Sequence, residues 1–480
     1  MPYDYDLGVI GAGAAGLTVA AGAARFGAKT LLVEKERMGG DCLHYGCVPS
    51  KTLIRTAAVR HAMKTAARFG LPETELPEVD FRAVSRRIAG VVSRIQEHDS
   101  AERFSSLGVD VLFGSARFMD EHSVEVSGKR VFAKSWVVAT GSSPFVPPIP
   151  GLSETPFLTN RDIFSLSRLP GSLLILGGGP IGIEMAQAFS RLGSKVAVVE
   201  MGPQILPAED PDMAQVVVER LEQEGVAFHL STRAVSAARS DAGASVTVEK
   251  PDRTQTTLSA EALLVAVGRN PNTAGMGLER IAVSFTRAGI TVDERLRTDR
   301  AHIFAAGDCK AGLKFTHVAG YDASIVLSNA VLHWPRKADY TWTPWCTYTD
   351  PELASLGLNE KRARAKGLDF KVVSEEFRDN DRALAEGSGE GRIKLVLGER
   401  GKVLGVQIAG PRAGEILSEW VGAAAGDVSL SKIASAVHPY PTLSEINRKV
   451  AGKVFEARIF SDTVRKTLRF LFQFKGRGPA

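Results

Sequence analysis

The sequence predicts an α/β fold: two doubly wound α/β domains followed by a smaller α+β domain. Three observations carry this. An apolar strand at 6–10 runs into a glycine turn, an Ala-rich helix over 14–26 stopped by Gly27, and a second apolar strand at 30–34. The same order returns at 173–176, 181–192 with Gly193, and 195–200. Two copies of one strand–helix–strand unit call for two largely parallel sheets. From about residue 343 the pattern turns to strands and helices without such a turn, which marks a separate domain. A chain of 480 residues has room for about three domains of ~100–200 residues.

Between the two units the pattern predicts a helix over 51–68, a Pro-containing linker, a long amphipathic helix over 81–107 and strand-like alternation over 109–138. The Pro-rich run 143–150 reads as a junction, and 303–308 as a buried strand. The expected division is 1–165, 166–272, 273–342 returning to the first domain, 343–452, and a tail at 453–480.

A hydrophobic share of 44% with 24% charged residues is that of a globular protein. A net charge of +5, spread over the whole chain, gives no reason to expect a nucleic-acid partner. The apolar stretch 7–24 follows Asp4 and Asp6, without the positive residues that open a secretory leader. No run reaches the ~18 apolar residues of a membrane span. Four cysteines do not make an extracellular framework, so a reducing cytoplasmic setting is expected.

The first glycine turn is Gly11-Ala12-Gly13-Ala14-Ala15-Gly16. Gly11 makes the tight turn, Gly13 lets a pyrophosphate approach the backbone, and Gly16 packs helix on strand. The helix N-terminus then faces the phosphates, and Glu34, ending the next strand, can accept from ribose hydroxyls. The second turn is Gly177-Gly178-Gly179-Pro180-Ile181-Gly182, with Glu200 in the place of Glu34. A carboxylate there accepts from a free 2′-hydroxyl and repels a 2′-phosphate. Met201-Gly202-Pro203-Gln204 supplies no Arg for that phosphate, so NAD(H) is expected over NADP(H). Two such sites in one chain suggest a bound flavin plus a visiting nicotinamide.

Cys42 and Cys47 lie in Gly39-Gly40-Asp41-Cys42-Leu43-His44-Tyr45-Gly46-Cys47-Val48-Pro49-Ser50-Lys51. The pair could be half a metal site, but no second Cys/His cluster lies near it in sequence. It could be two inert buried thiols. It also stands at an expected helix start, where the helix dipole favours a thiolate, and Lys51 shares that helix face. No metal is expected.

This run resembles the redox signature of the class I pyridine nucleotide–disulfide oxidoreductases. Ala139-Thr140-Gly141, Gly268-Arg269-Asn270-Pro271, Ala305-Ala306-Gly307-Asp308 and Thr349-Asp350-Pro351-Glu352 look like further motifs of that family. The resemblance implies FAD in the first domain, held in part by Thr140, Gly141 and Asp308, and NAD in the second, closed by Gly268 and Arg269. It implies a redox disulfide Cys42–Cys47, with Cys47 beside the flavin in a charge-transfer complex and Cys42 meeting the substrate. It implies a Lys51–Glu184 ion pair beside the flavin. It also implies a homodimer joined by the C-terminal domain, in which one subunit's C-terminal motif lies over the other's disulfide. The expected substrate is a small or protein-borne disulfide, dithiol or metal–thiol compound.

One departure stands out. Thiol-handling members carry a His five residues before a Glu, whereas here Tyr440 stands five before Glu445, in His438-Pro439-Tyr440-Pro441-Thr442-Leu443-Ser444-Glu445. A phenol titrates near ~10 and an imidazole near ~6.5, so Tyr440 is a poor base at neutral pH. Mercuric reductases resemble this chain in having Tyr there, but they end in a vicinal cysteine pair and this chain has no cysteine after Cys346. Two alternatives stay open: a dihydrolipoamide dehydrogenase with His438 as base, and a flavin NADH oxidase or quinone reductase. Cys309 and Cys346 read as small buried residues. His317 is placed either near the flavin or in an ordinary core or surface role. The tail mixes Phe455, Ile459, Phe460, Leu468, Phe470, Leu471, Phe472 and Phe474 with Arg458, Arg465, Lys466, Arg469 and Lys475. It reads either as a helix packed on the dimer or as a basic amphipathic helix on a membrane surface or partner.

Overall fold

The structure is a computed structural model that describes residues 3–474. It separates into two compact units, 1–203 with 224–340 and 204–223 with 341–480.

In the first unit, strands Tyr5–Ile10, Thr30–Glu34 and Val109–Phe113 pair in parallel, and Tyr5–Ile10 also pairs in parallel with Lys129–Val138. The strands beside the first glycine turn are apolar and buried because the sheet is covered on both faces. The helix Ala14–Arg25 packs against Thr316–Ala330 over one apolar cluster that includes Val9, Val19, Ala23, Phe304 and Val326. Strand Ile303–Ala305 arrives from far along the chain and pairs in parallel with Lys129–Val138. It stops at Ala305, short of the expected 308, because Gly307–Cys309 is a 3₁₀ turn.

The second copy forms a parallel sheet in the order Ala227–His229, Lys195–Val199, Ser172–Leu176, Ala262–Val265, with helix Pro180–Leu192 beside it. A two-stranded junction, Ser142–Pro144 against Arg269–Pro271, is where the chain passes between the two nucleotide folds. The expected single helix over 81–107 is broken. Phe81–Gln96 gives way to a 3₁₀ turn, and Ala101–Ser106 starts afresh, capped by Ser100, whose hydroxyl accepts from Arg103 N–H at 3.2 Å.

The second unit is a five-stranded antiparallel sheet in the order Pro344–Thr347, Glu352–Gly357, Val403–Gly410, Arg392–Leu397, Lys371–Glu376. Helices Ala413–Ala425 and Glu445–Ile459 contribute Leu417, Trp420, Ile446 and Val450 to its core. Residues 204–223 belong to this unit although they follow the second glycine fold in sequence. The buried Glu209 carboxylate accepts from Trp345 Nε1 (2.5 Å), Ser355 Oγ (2.6 Å) and Gln407 Nε2 (2.8 Å). The buried Lys394 ammonium sits among Asp210 (2.8 Å), Asp212 (2.7 Å) and Glu360 (2.9 Å).

Candidate active site

The two glycine turns are built alike. A Cβ on Gly11 would stand 2.4 Å from Ala139 O, and one on Gly177 2.5 Å from Ala266 O. Both residues also have positive φ, 103° and 111°. A Cβ on Gly16 or Gly182 would come within 2.0 Å of the carbonyl of Gly11 or Gly177, so these glycines let helix meet turn. The middle glycines differ. Gly179 has nothing within 4 Å of a Cβ, and Gly13 has only Gly40 Cα at 3.8 Å. Each stands as N-cap of its helix and, as a glycine, has no side chain of its own to bond the first-turn N–H groups. An open cradle of free backbone donors at a helix start fits a dinucleotide pyrophosphate.

The acids complete the pattern. Glu34 accepts from Ala12 N–H and Glu36 N–H, both at 2.8 Å. Glu200 accepts from Gly178 N–H and Gly202 N–H, both at 2.7 Å. Each carboxylate is thereby fixed beside its turn, with lone pairs left for hydroxyl donors. Asp308 accepts from Ser142 Oγ at 2.7 Å. Thr140 and Gly141 are tied to Asn272: Thr140 Oγ1 donates to its carbonyl at 2.6 Å, and its N–H donates to Gly141 O at 2.9 Å. Gly268 has a positive φ of 134° and open space around it. Arg269 donates to Ser142 Oγ and Ser142 O, both at 2.8 Å, and pairs with Asp41 at 2.9 Å. The junction strands therefore also clasp the loop that carries the cysteines. Asn160 adds a second clasp, donating to Tyr45 O at 3.0 Å.

Cys42 lies in the short helix Gly40–His44, and Cys47 is the first residue of helix Cys47–Lys64. Both are free thiols here and hydrogen-bond partners. That bond holds the Cys47 thiol down at about 6, helped by Thr316 Oγ1 at 3.3 Å and by the charge of Lys51. The same bond, with burial added, pushes the Cys42 thiol up. The pair is thus polarised, with the thiolate on Cys47 and the proton on Cys42. Lys51 Nζ lies 2.7 Å from Glu184 Oε2. Glu184 is buried on helix Pro180–Leu192, which packs against Cys47–Lys64.

Thr316 was not singled out from the sequence. It begins helix Thr316–Ala330 just after the Asp308 turn, and that position was its only signal. Asp322 was also missed. Wholly buried, it accepts from Gly307 N–H (2.9 Å) and Tyr340 Oη (2.6 Å) and pairs with the buried Lys310 (3.3 Å), bracing the turn that holds Asp308. His317 stacks on Phe315. Cys309 is fully buried, donates to backbone carbonyls, and is pushed up to about 11 by that burial.

In the second unit the C-terminal motif has its own pairing. Tyr440 is 69% exposed, and its hydroxyl donates to Asp381 Oδ2 at 2.8 Å. That hydrogen bond to a carboxylate pushes the phenol above its ordinary value. His438 Nε2 lies 3.0 and 3.2 Å from the two oxygens of Glu419, and Glu419 also accepts from Asn447 Nδ2 at 2.7 Å. Glu445 is buried and faces Arg448 at 3.4 Å. The motif's imidazole therefore has a carboxylate partner, but it is Glu419 and not Glu445.

Comparison with known proteins agrees with this geometry. Residues 5–323 match the family model described as pyridine nucleotide-disulphide oxidoreductase, and residues 343–451 that family's dimerisation domain. The chain is 34% identical to a mercuric reductase of Streptomyces lividans, over 95% of this chain and 97% of that one. It is 34% identical to a dihydrolipoyl dehydrogenase of Bacillus subtilis, over 92% and 96%. Among solved structures it resembles the HOCl-induced flavoprotein disulfide reductase RclA from Escherichia coli, with TM-score 0.83 and 28% identity, covering 94% of this chain and all of the other. The chain belongs to the pyridine nucleotide–disulphide oxidoreductase family and is an oxidoreductase acting on sulfur groups with NAD(P).

Proposed function

We propose that the protein is an NADH-dependent, FAD-containing homodimeric reductase whose Cys42–Cys47 dithiol passes two electrons to a metal ion held by thiols. Bound FAD supplies the two-electron carrier between nicotinamide and disulfide. Gly11, Gly13, Gly16, Glu34, Thr140, Gly141 and Asp308 would hold it, and Gly177, Gly179, Gly182, Glu200, Gly268 and Arg269 the nicotinamide nucleotide. Glu200, with no Arg in 201–204, favours NADH. Lys51, oriented by Glu184, offers a positive charge on the helix that Cys47 opens. Cys47 holds the negative charge, and Cys42, which would meet the incoming ligand, gives up its proton to that ligand's leaving thiolate on exchange. Metal reduction then balances: the dithiol gives up two electrons and the Cys42 proton, the disulfide forms, and the electrons lower one Hg(II) by two units of charge or two Cu(II) by one unit each.

The observation that carries this reading is the pairing at the C-terminal motif. A dihydrolipoamide or glutathione enzyme needs a base to take a thiol proton. Tyr440, which stands where thiol-handling relatives hold their base, is turned into a donor by Asp381. A donor phenol suits an acceptor that arrives already as a thiolate complex. Mercuric reductases among the relatives, and the Cu(II) complex in which RclA has been solved, support the same acceptor class. Four cysteines, with Cys309 fully buried, suit a reducing, cytoplasmic setting.

An acceptor panel with NADH tests the proposal: Hg(II) in excess cysteine, Cu(II) without added thiol, lipoamide, glutathione disulfide, a quinone and oxygen. Turnover of a metal–thiol complex at least tenfold above lipoamide is expected. Lipoamide turnover as fast as the metal's, abolished by His438→Ala, would instead make this a dihydrolipoamide dehydrogenase. Equal quinone turnover by Cys42→Ser and wild type would make the disulfide incidental.

A further inference from the structure

We propose that the C-terminal helix Asp462–Phe472 docks the enzyme on an anionic phospholipid surface, lying in the interface plane. Ser461 caps the helix by accepting from Val464 N–H at 3.4 Å. At 100° per residue, Val464, Leu468, Leu471 and Phe472 share one face, Arg465 stands at its border, and Arg469 and Lys466 fall beyond it. No residue of this face is buried, although Val464 is half-buried and Leu468 is 38% exposed. Leu471 and Phe472 are each 62% exposed, and Phe470, which projects beside Lys466, is 86% exposed. Ile459 and Phe460 before the helix and Phe474 after it are also more than half exposed. An apolar run of this size on a protein surface marks an interaction site.

Charge decides what covers it. After Asp462 the sequence has no acidic residue but has Arg465, Lys466, Arg469, Lys475 and Arg477; Lys475 and Arg477 lie outside the described residues. One sign of charge interleaved with aromatic residues complements an anionic headgroup layer over acyl chains. Eleven residues make a helix of about 16 Å, about half the ~30 Å hydrocarbon thickness. Among the described residues no helix is long and apolar enough to cross a membrane, so this one lies on the surface. A second copy of the chain is the weaker occupant. The dimerisation domain that the family shares ends at residue 451, before this helix begins, and two such tails brought together would repel.

Co-sedimentation of the FAD-loaded full chain with vesicles tests this. Phosphatidylcholine vesicles with and without phosphatidylglycerol are compared at low and high salt. Binding is expected only with phosphatidylglycerol and should fall at least tenfold at high salt, where the Debye length shrinks. Replacing Leu468, Leu471 and Phe472 together by Ser should also reduce it at least tenfold. NADH turnover in solution and dimer mass should stay unchanged, which separates a lost anchor from a misfolded protein. The proposal fails if anionic vesicles do not sediment the enzyme or if the triple variant binds as well as the wild type. It fails equally if the triple variant becomes monomeric, which would assign the face to a second copy.

Discussion

Cys47 should titrate as a thiolate near pH 6, and the assay must be chosen with care. At about 6 rather than the ordinary 9.0, roughly 90% of Cys47 is ionised at pH 7, against about 1% of an ordinary thiol. Intrinsic nucleophilicity falls as pKa falls, with a Brønsted slope of ~0.4–0.5, so three units cost about 15- to 30-fold. The net gain in alkylation rate at pH 7 is then only about three- to sixfold. A single rate is a weak test, and the midpoint of a pH profile is the strong one. Cys42→Ser is the proper background, because a serine hydroxyl can still donate to the thiolate in place of the Cys42 thiol. In that variant, FAD-loaded, a long-wavelength thiolate–flavin band should appear as pH rises through about 6. Iodoacetamide alkylation of Cys47 should rise through the same midpoint. Cys42→Ala and Thr316→Val each remove a hydrogen bond to Cys47 and should shift the midpoint upward. A midpoint above 8 in Cys42→Ser, or the same band in Cys47→Ser, would refute the assignment.

Three further outcomes are expected. The kcat/KM ratio should favour NADH over NADPH, and Glu200→Ala should narrow it; a ratio favouring NADPH in the wild type would overturn the role given to Glu200. Tyr440→His should raise thiol–disulfide turnover if Asp381 can hold the imidazole, and Asp381→Asn should bring the Tyr440 phenol back toward 10.0 in an ultraviolet titration against Tyr440→Phe. Asp322→Asn should leave the buried Lys310 charge without its carboxylate and destabilise the fold by about 3–5 kcal/mol. Through the Gly307 turn it should also loosen FAD, seen as flavin fluorescence released at a lower temperature; unchanged melting and flavin release would mean that Asp322 does not brace the site.

The α/β core was legible because its constraints are local. Gly11 and Gly16 are fixed by atoms within a few residues or on the neighbouring strand, and the same geometry recurs at Gly177 and Gly182. The start of a helix at Cys47 is likewise written into its neighbourhood. The break in the 81–107 stretch was not legible. Its apolar period runs on past Ser100, and a single capping serine interrupts the helix. Nor was the attachment of 204–223 to the C-terminal sheet, because it rests on Glu209 and Asp210 meeting partners more than a hundred residues away.

The C-terminal motif shows where sequence reasoning reaches its limit. Spacing alone set Tyr440 where relatives hold a base, and pKa alone made it a poor one. Spacing also suggested Glu445 as the carboxylate that would orient whichever group acts. The fold divides those roles differently. Glu445 turns to Arg448, three residues along the same helix, and the acceptor for Tyr440 is Asp381, 59 residues earlier. His438 finds Glu419, which Asn447 also holds. A carboxylate that accepts from a phenol holds the phenol's proton in place. Whether this site takes protons therefore turns on two long-range acids that no local pattern names. Their arrangement leaves the exposed tyrosine as a hydrogen-bond donor to Asp381 and pairs the motif's imidazole with Glu419.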